Sequence, residues 1–236
     1  MYSIDLAQIS LDDFETIIAS ADLLPGRRIL ADDLSGVMGR LKQKGISHLG
    51  MLQKLLRNKR DYPALAAELS ISVDYLTVLN REINSYVSKP VPLASLDLFS
   101  EAELARLDQE GLKSSKDLYE RGLTRAARKD LAACLHLEQS QIEAAIELAD
   151  LLRINGVGPV YAKILREMGI NSAASYAETE SETILENYRK INAEKGYSKA
   201  RLSLSDVEYC KRFCRKLDVD IQQQVDIEKP GMSTGG

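Results

Sequence analysis

The chain reads as an all-α protein of roughly three repeats with no sheet, and three observations lead there. The phrase Leu-x-x-x-Gly-apolar recurs at Leu41–Ile46, Leu107–Leu112 and Leu165–Ile170. Each copy is a helix that stops on a left-handed glycine before an apolar residue. One ungapped shift of 66 residues lays Gly45 on Gly111, Leu69 on Leu135, Ile71 on Leu137 and Leu76 on Ile142. A second shift, of 58, lays Leu165, Gly169, Ile170 and Ser172 on Leu107, Gly111, Leu112 and Ser114. Self-similarity at a fixed period marks a repeat architecture. Finally, no stretch alternates strictly enough, with β-branched residues, to read as a strand.

The helices are legible in order. Ser10 caps a first helix with Leu11, Phe14, Ile17 and Ile18 on one face and acids in its first turn. Pro25-Gly26 ends this N-terminal helical extension, residues 1–30. The first repeat, 31–90, has starts at Ser47 and at Asp61 before Pro63. Its SISVDYLTVL run reads as helix, because Val73, Leu76, Val78 and Leu79 continue one face into Ile83 and Tyr86. Pro90 and Pro92 mark the boundary to the second repeat, 91–150. Starts there are Ser100 with Glu103, Ser114, and Ser140 with Glu143. The third repeat, 151–217, starts helices at Ser172, at Thr179 with Glu182, and at Ser205 with Glu208, the paired residues forming capping boxes. No breaker separates it from the second, so a helix over 140–153 is expected to run straight into it. EKPGMSTGG lacks an apolar anchor, which predicts a mobile tail over 218–236.

Composition limits the function classes. Of 236 residues, 44% are hydrophobic and 28% charged, ordinary for a soluble globular chain. With no Trp and few aromatics, the core must be built of Leu, Ile, Val and Ala. The net charge of −4 is not that of a dedicated nucleic-acid binder. It is uneven, however: 151–217 carries +4, against −5 for 1–150 and −3 for 218–236. Three cysteines without paired spacing (Cys134, Cys210, Cys214) fit a reducing cytosol rather than a disulfide framework. Cys210 and Cys214 share a helix face with no His nearby, so two buried thiols are expected there and a metal site is not. No apolar run is long enough to cross a membrane, and the start lacks a signal pattern, so a cytoplasmic location is expected.

The stretch LLRINGVGPVYAKILREMG, Leu151–Gly169, organises the rest. Leu151, Leu152 and Ile154 close one helix, Asn155, Gly156, Val157 and Gly158 turn, and Pro159 opens the next at the position where its missing N–H is harmless. The glycines permit positive φ and close approach by another backbone. Successive N–H groups from Val157 onward are expected to point outward at the positive end of that helix, a one-phosphate site. Val160, Ala162, Ile164 and Leu165 supply the apolar face of that helix, and Lys163 lies one turn further along, where it adds a charge. The alternative is a purely structural turn between packed helices. In the repeat register this turn falls on Leu30–Leu34 and Leu96–Ser100, which lack both glycines, and Asp32 and Asp33 would repel a phosphate. The same repeat carries an insertion, NYRKINAEKGYSKARLSLSD. There Arg189, Lys190, Lys195, Lys199 and Arg201 surround Tyr197, a pattern suited to tracking a nucleic-acid backbone or, as the alternative, to a solvated loop.

Ile154, Gly156, Val157, Gly158, Ala162 and Leu165 resemble the helix-hairpin-helix motif of DNA-binding proteins, residue by residue. That resemblance implies duplex-backbone binding without sequence reading through hairpin amides, often with a monovalent cation under the hairpin carbonyls, and otherwise no cofactor. At full length the chain is similar to a bacterial and archaeal family of unknown function with tandem five-helix, SAM-like, helix-hairpin-helix-type domains. The similarity rests on Tyr2–Phe14, Gly156–Ala162 and Glu194–Asp206.

Three functions follow. One is non-catalytic nucleic-acid binding through Asn155, Gly156, Val157, Gly158, Val160 and Lys163, supported by Arg189, Lys190, Lys195, Lys199 and Arg201. Another is a protein-interaction scaffold in which the turn is only structural. An enzyme is the least favoured: a Lys163 nucleophile has no base beside it in sequence, and His48 and His136 fall in separate repeats.

Overall fold

The structure is a computed structural model describing residues 1–217 and 221. Apart from Ile221, the expected tail 218–236 lies outside the described residues. Among those residues there are thirteen α-helices and no strand, only two isolated bridges, Ser10 with His48 and Pro92 with Ser114. The chain divides into two compact units: Ser3–Val87, and Met1–Tyr2 together with the chain from Ser88 onward.

The first unit holds α1 (Leu11–Ser20), α2 (Leu34–Gln43), α3 (Leu49–Leu55), α4 (Tyr62–Glu68) and α5 (Val73–Asn84). Helix α1 starts as its residues dictate, since the Ser10 hydroxyl accepts the Asp13 N–H while the Asp13 carboxylate accepts the Ser10 N–H. Its apolar face packs on α2. Phe14, Ile18, Val37, Leu41, Leu76 and Ile83 are buried there. The ion pair of Glu82 with Arg27 lies within the same unit.

The second unit holds α6 (Glu101–Gln109), α7 (Ser115–Arg121), α8 (Arg125–Leu135), α9 (Gln139–Leu151), α10 (Pro159–Glu167), α11 (Ala173–Glu178), α12 (Ser181–Lys195) and α13 (Leu204–Cys214). Helix α9 is its centre, buried along Ile142, Ala145, Ile146 and Ala149 and packed on α7, α8 and α10. Helix α12 packs on α10 and α13.

The repeats are visible atom by atom. Gly45, Gly111 and Gly169 all have positive φ, +84°, +76° and +80°. In each case the next residue's N–H returns to the leucine carbonyl five positions back: Ile46 to Leu41 at 3.1 Å, Leu112 to Leu107 at 2.8 Å, Ile170 to Leu165 at 3.0 Å. The shift of 66 also pairs Ser70 with His136, both left-handed, each followed by the same return bond. A further recurrence diverges instructively. Leu49 N–H donates to the Ile9 carbonyl and Ser115 N–H to that of Val91. At the third equivalent place, Ala173 N–H donates to the Asp150 carboxylate at 2.7 Å.

Several helix starts differ from expectation. Helix α3 is entered from His48, not Ser47. Helix α9 is entered from Glu138, two residues ahead of the expected Ser140, and α12 from Glu180, one residue past the expected Thr179. Helix α13 is capped by Ser203 with Asp206, not Ser205 with Glu208. In that stretch three small polar residues stand close together in sequence, and local pattern does not choose among them. The expected helix over 140–153 ends at Leu151. The stretch expected as an insertion is half helix, since α12 continues to Lys195 and only residues 196–203 form an arm between helices.

Candidate functional site

The turn between α9 and α10 is built on a buried ion pair. Asp150 and Arg153 have no exposed side-chain surface and bond to each other at 2.5 Å. Arg153 Nε donates to the Tyr2 carbonyl at 3.0 Å and its Nη2 to that of Met1 at 3.3 Å, while the guanidinium lies 4.3 Å over the Tyr119 ring. The other Asp150 oxygen takes the Ala173 N–H, at the first residue of α11. Both ends of the segment containing the turn and α10 are therefore fixed to one charge pair.

Within the turn the residues divide. The Asn155 amide donates to the Tyr209 hydroxyl at 2.7 Å. Gly156 has φ +94°, and a Cβ there would lie 2.8 Å from Cys210 Sγ. The Val157 N–H, expected to point outward, closes the turn on the Ile154 carbonyl at 3.0 Å, and its side chain is in the core. Val157 is thus buried and Asn155 half-buried, each with a polar group committed inside the molecule, while Gly156 is exposed although its Cβ direction points at Cys210.

Gly158 and Val160 differ. Gly158 has φ −98° and ψ 175°, ordinary extended backbone, and a Cβ there would meet nothing within 4 Å. As the residue before α10 it supplies no side-chain cap. Pro159 brings no N–H, and no described residue accepts from the N–H of Gly158, Val160 or Tyr161. Val160 is 46% exposed.

The basic residues differ in how far they are engaged within the molecule. Lys163 Nζ lies 4.9 Å from the Tyr197 ring centroid and Lys195 Nζ 6.0 Å. The Tyr197 hydroxyl donates to Glu167 at 2.5 Å, and Lys195 pairs with Glu167 at 3.5 Å. The Tyr197 hydrogen bond, with the nearby ammonium groups of Lys195 and Lys163, holds the Glu167 carboxyl below its ordinary range. The same bond raises the Tyr197 phenol, and the Glu167 charge raises Lys195. Arg166 is engaged by Glu147 at 2.7 Å. Arg189, Lys190, Lys199 and Arg201 are exposed and have no ion pair among the described residues.

Beneath the turn, Tyr161, Tyr176 and Tyr188 meet edge to face, and the Tyr161 and Tyr176 hydroxyls are 3.1 Å apart. Cys210 and Cys214 are buried as expected, and burial pushes the Cys210 thiol up to about 12. Among the described residues no group of three His, Cys, Asp or Glu side chains is placed to hold a metal, and no helix is long and apolar enough to cross a membrane. Asp150, Arg153, Glu167, Asn192 and Tyr209 were not singled out by sequence. The one readable signal was an acid and a base three apart inside the apolar run LADLLRI.

Fold and turn together define an all-helical protein of recurring helix–glycine stops, without a sheet among the described residues. Residues 98–216, half of the chain, match the family model described as "Domain of unknown function (DUF4332)", and the chain belongs to that family. No curated protein and no solved structure matches it.

Proposed function

We propose that this protein is a non-catalytic, cytoplasmic binder of nucleic-acid backbone, DNA in the first instance. In this reading it consists of three tandem units of the helix-hairpin-helix type at 31–90, 91–150 and 151–217. Only the third carries a phosphate-ready turn. The observation that carries the proposal is Gly158. Gly158 is the N-cap of α10, where glycine is tolerated but Ser, Asp or Asn would cap the helix better by a few tenths of a kcal/mol. Among the described residues nothing lies within 4 Å of where a Cβ on Gly158 would go. An outside backbone that approaches the Val160 and Tyr161 N–H groups needs glycine there, and the positive end of α10 favours an anion at that place. The exposure of Val160 favours a second reading, a protein partner seated on the turn.

Gly158→Glu separates site from fold. A carboxylate at a helix start stabilises the helix, so thermal stability is expected to hold or rise. Binding of a short labelled DNA duplex at low salt, followed by fluorescence anisotropy, is expected to weaken at least about tenfold, the loss of one hydrogen bond to a charged group. Equal affinity in the variant and the parent rejects the reading. A stoichiometric protein captured equally well from nuclease-treated lysate favours the second one.

A further inference from the structure

The arm at residues 196–203 is held far more tightly than a solvated loop requires. The Asn192 side chain grips Ser198 twice: its Nδ2 donates to the Ser198 carbonyl at 2.8 Å and its Oδ1 accepts the Ser198 N–H at 2.7 Å. The Tyr188 hydroxyl donates to the Ala200 carbonyl at 3.1 Å. The Tyr197 hydroxyl reaches across to Glu167 on α10. Gly196, left-handed at φ +64°, turns the chain out of α12.

These anchors also give the arm a direction. Tyr197 sits against Glu167 and Lys163. Ala200 sits on Tyr188, whose ring meets that of Tyr161 at 5.6 Å. Tyr161 is two residues past Pro159, and Glu167 lies about 9 Å further along the helix at 1.5 Å per residue. The arm therefore runs back along α10 toward the glycine turn. Lys199 and Arg201 flank Ala200 and are exposed, without an ion pair among the described residues. Tyr197 is no stacking platform, since Lys163 and Lys195 lie over its ring and Glu167 takes its hydroxyl.

We propose that Glu167, Tyr197, Asn192 and Tyr188 are positioning residues. They pin the arm so that Lys199 and Arg201 make a second backbone-phosphate grip beside the glycine turn. This rests on the nucleic-acid reading above. It also gives Glu167 a sign opposite to simple electrostatics. A carboxylate near an anion site should repel the ligand, so its removal should tighten binding. A carboxylate that holds the arm in place should weaken binding when removed.

The test uses the full chain and a short labelled DNA duplex, with affinity measured across a salt series. Tyr197→Phe keeps the ring and the net charge but removes the bond to Glu167. It is expected to weaken binding several-fold and to flatten the salt slope. The limit is about 1.8 units for two phosphate contacts, at about 0.9 each. Glu167→Ala, which removes the acceptor for the Tyr197 hydroxyl, should weaken binding as well. In a Lys199→Gln, Arg201→Gln background the Tyr197→Phe change should have no further effect, since it acts through those two cations. Unfolding midpoints of all variants show whether the fold is kept. Tighter binding by Glu167→Ala, or an unchanged slope in Tyr197→Phe, overturns the proposal while leaving the turn's role standing. Absence of binding by the parent protein overturns both.

Discussion

Gly156 and Gly158, two residues apart in one turn, have different reasons to be glycine. Gly156 is required by the molecule itself, with positive φ and Cys210 Sγ where a Cβ would go. Gly156→Ala is expected to destabilise the protein by about 2–4 kcal/mol, the left-handed penalty plus overpacking. Urea unfolding checks this, and a loss under about 1 kcal/mol would show that the turn relaxes at will. Gly158 has neither constraint, so binding assays belong on Gly158 alone. A variant altered at both positions confuses an unfolded turn with an empty one. Asn155 carries the same lesson, because its amide is committed to Tyr209.

At the scale of elements, the Asp150–Arg153 pair joins the end of α9, the start of α11 and the Met1–Tyr2 backbone. A buried pair is a modest source of stability while whole and an expensive one to break, because the surviving charge stays out of water. Asp150→Asn keeps the shape but leaves Arg153 without its counter-charge, and is expected to destabilise by about 3–5 kcal/mol. The double change Asp150→Leu, Arg153→Met should recover part of that loss, since no lone charge remains. Denaturant titration of the three proteins decides the matter. Equal losses in the single and double variants would assign the effect to hydrogen bonds with the Tyr2 and Ala173 backbones rather than to an orphaned charge.

For the whole molecule, buried weak acids are distributed unevenly. Burial raises Tyr2 to about 12 and Cys210 to about 12, and raises Tyr161, Tyr176 and Cys214 as well, all in the second unit. In the first unit burial raises Tyr75 to about 12 and Tyr62 in the same direction. Between the unfolded and folded values the native state keeps a proton that the unfolded chain has lost, so stability falls as pH rises. Each such group contributes about 1.4 kcal/mol per pH unit over that window. The second unit is therefore expected to lose protease resistance first as pH is raised past 9 toward 11. Pulse proteolysis with mass mapping reads this directly, and earlier cleavage within Ser3–Val87 would contradict it.

What the sequence determined by itself was the helical class, the recurring stops and the turn. Leu-x-x-x-Gly-apolar fixes a left-handed ending through a few adjacent residues, and all three copies close with the same bond. Ser10, Ser100, Ser114 and Ser172 act as caps for the same local reason. The starts at Glu138, Glu180 and Ser203 differ from the local pattern, because several neighbouring residues satisfy one local rule and packing chooses among them. Only the tertiary structure decided which hydrogens of the turn are spent inside it and which are left, since Tyr209, Cys210 and Ala173 are far from Asn155–Gly158 along the chain. It alone placed Tyr197 against Glu167, a contact across 30 residues that turns a run of charges into an anchored arm. Local backbone preference is written in neighbouring residues; the use of a polar group is set by whatever the fold brings within 3 Å of it.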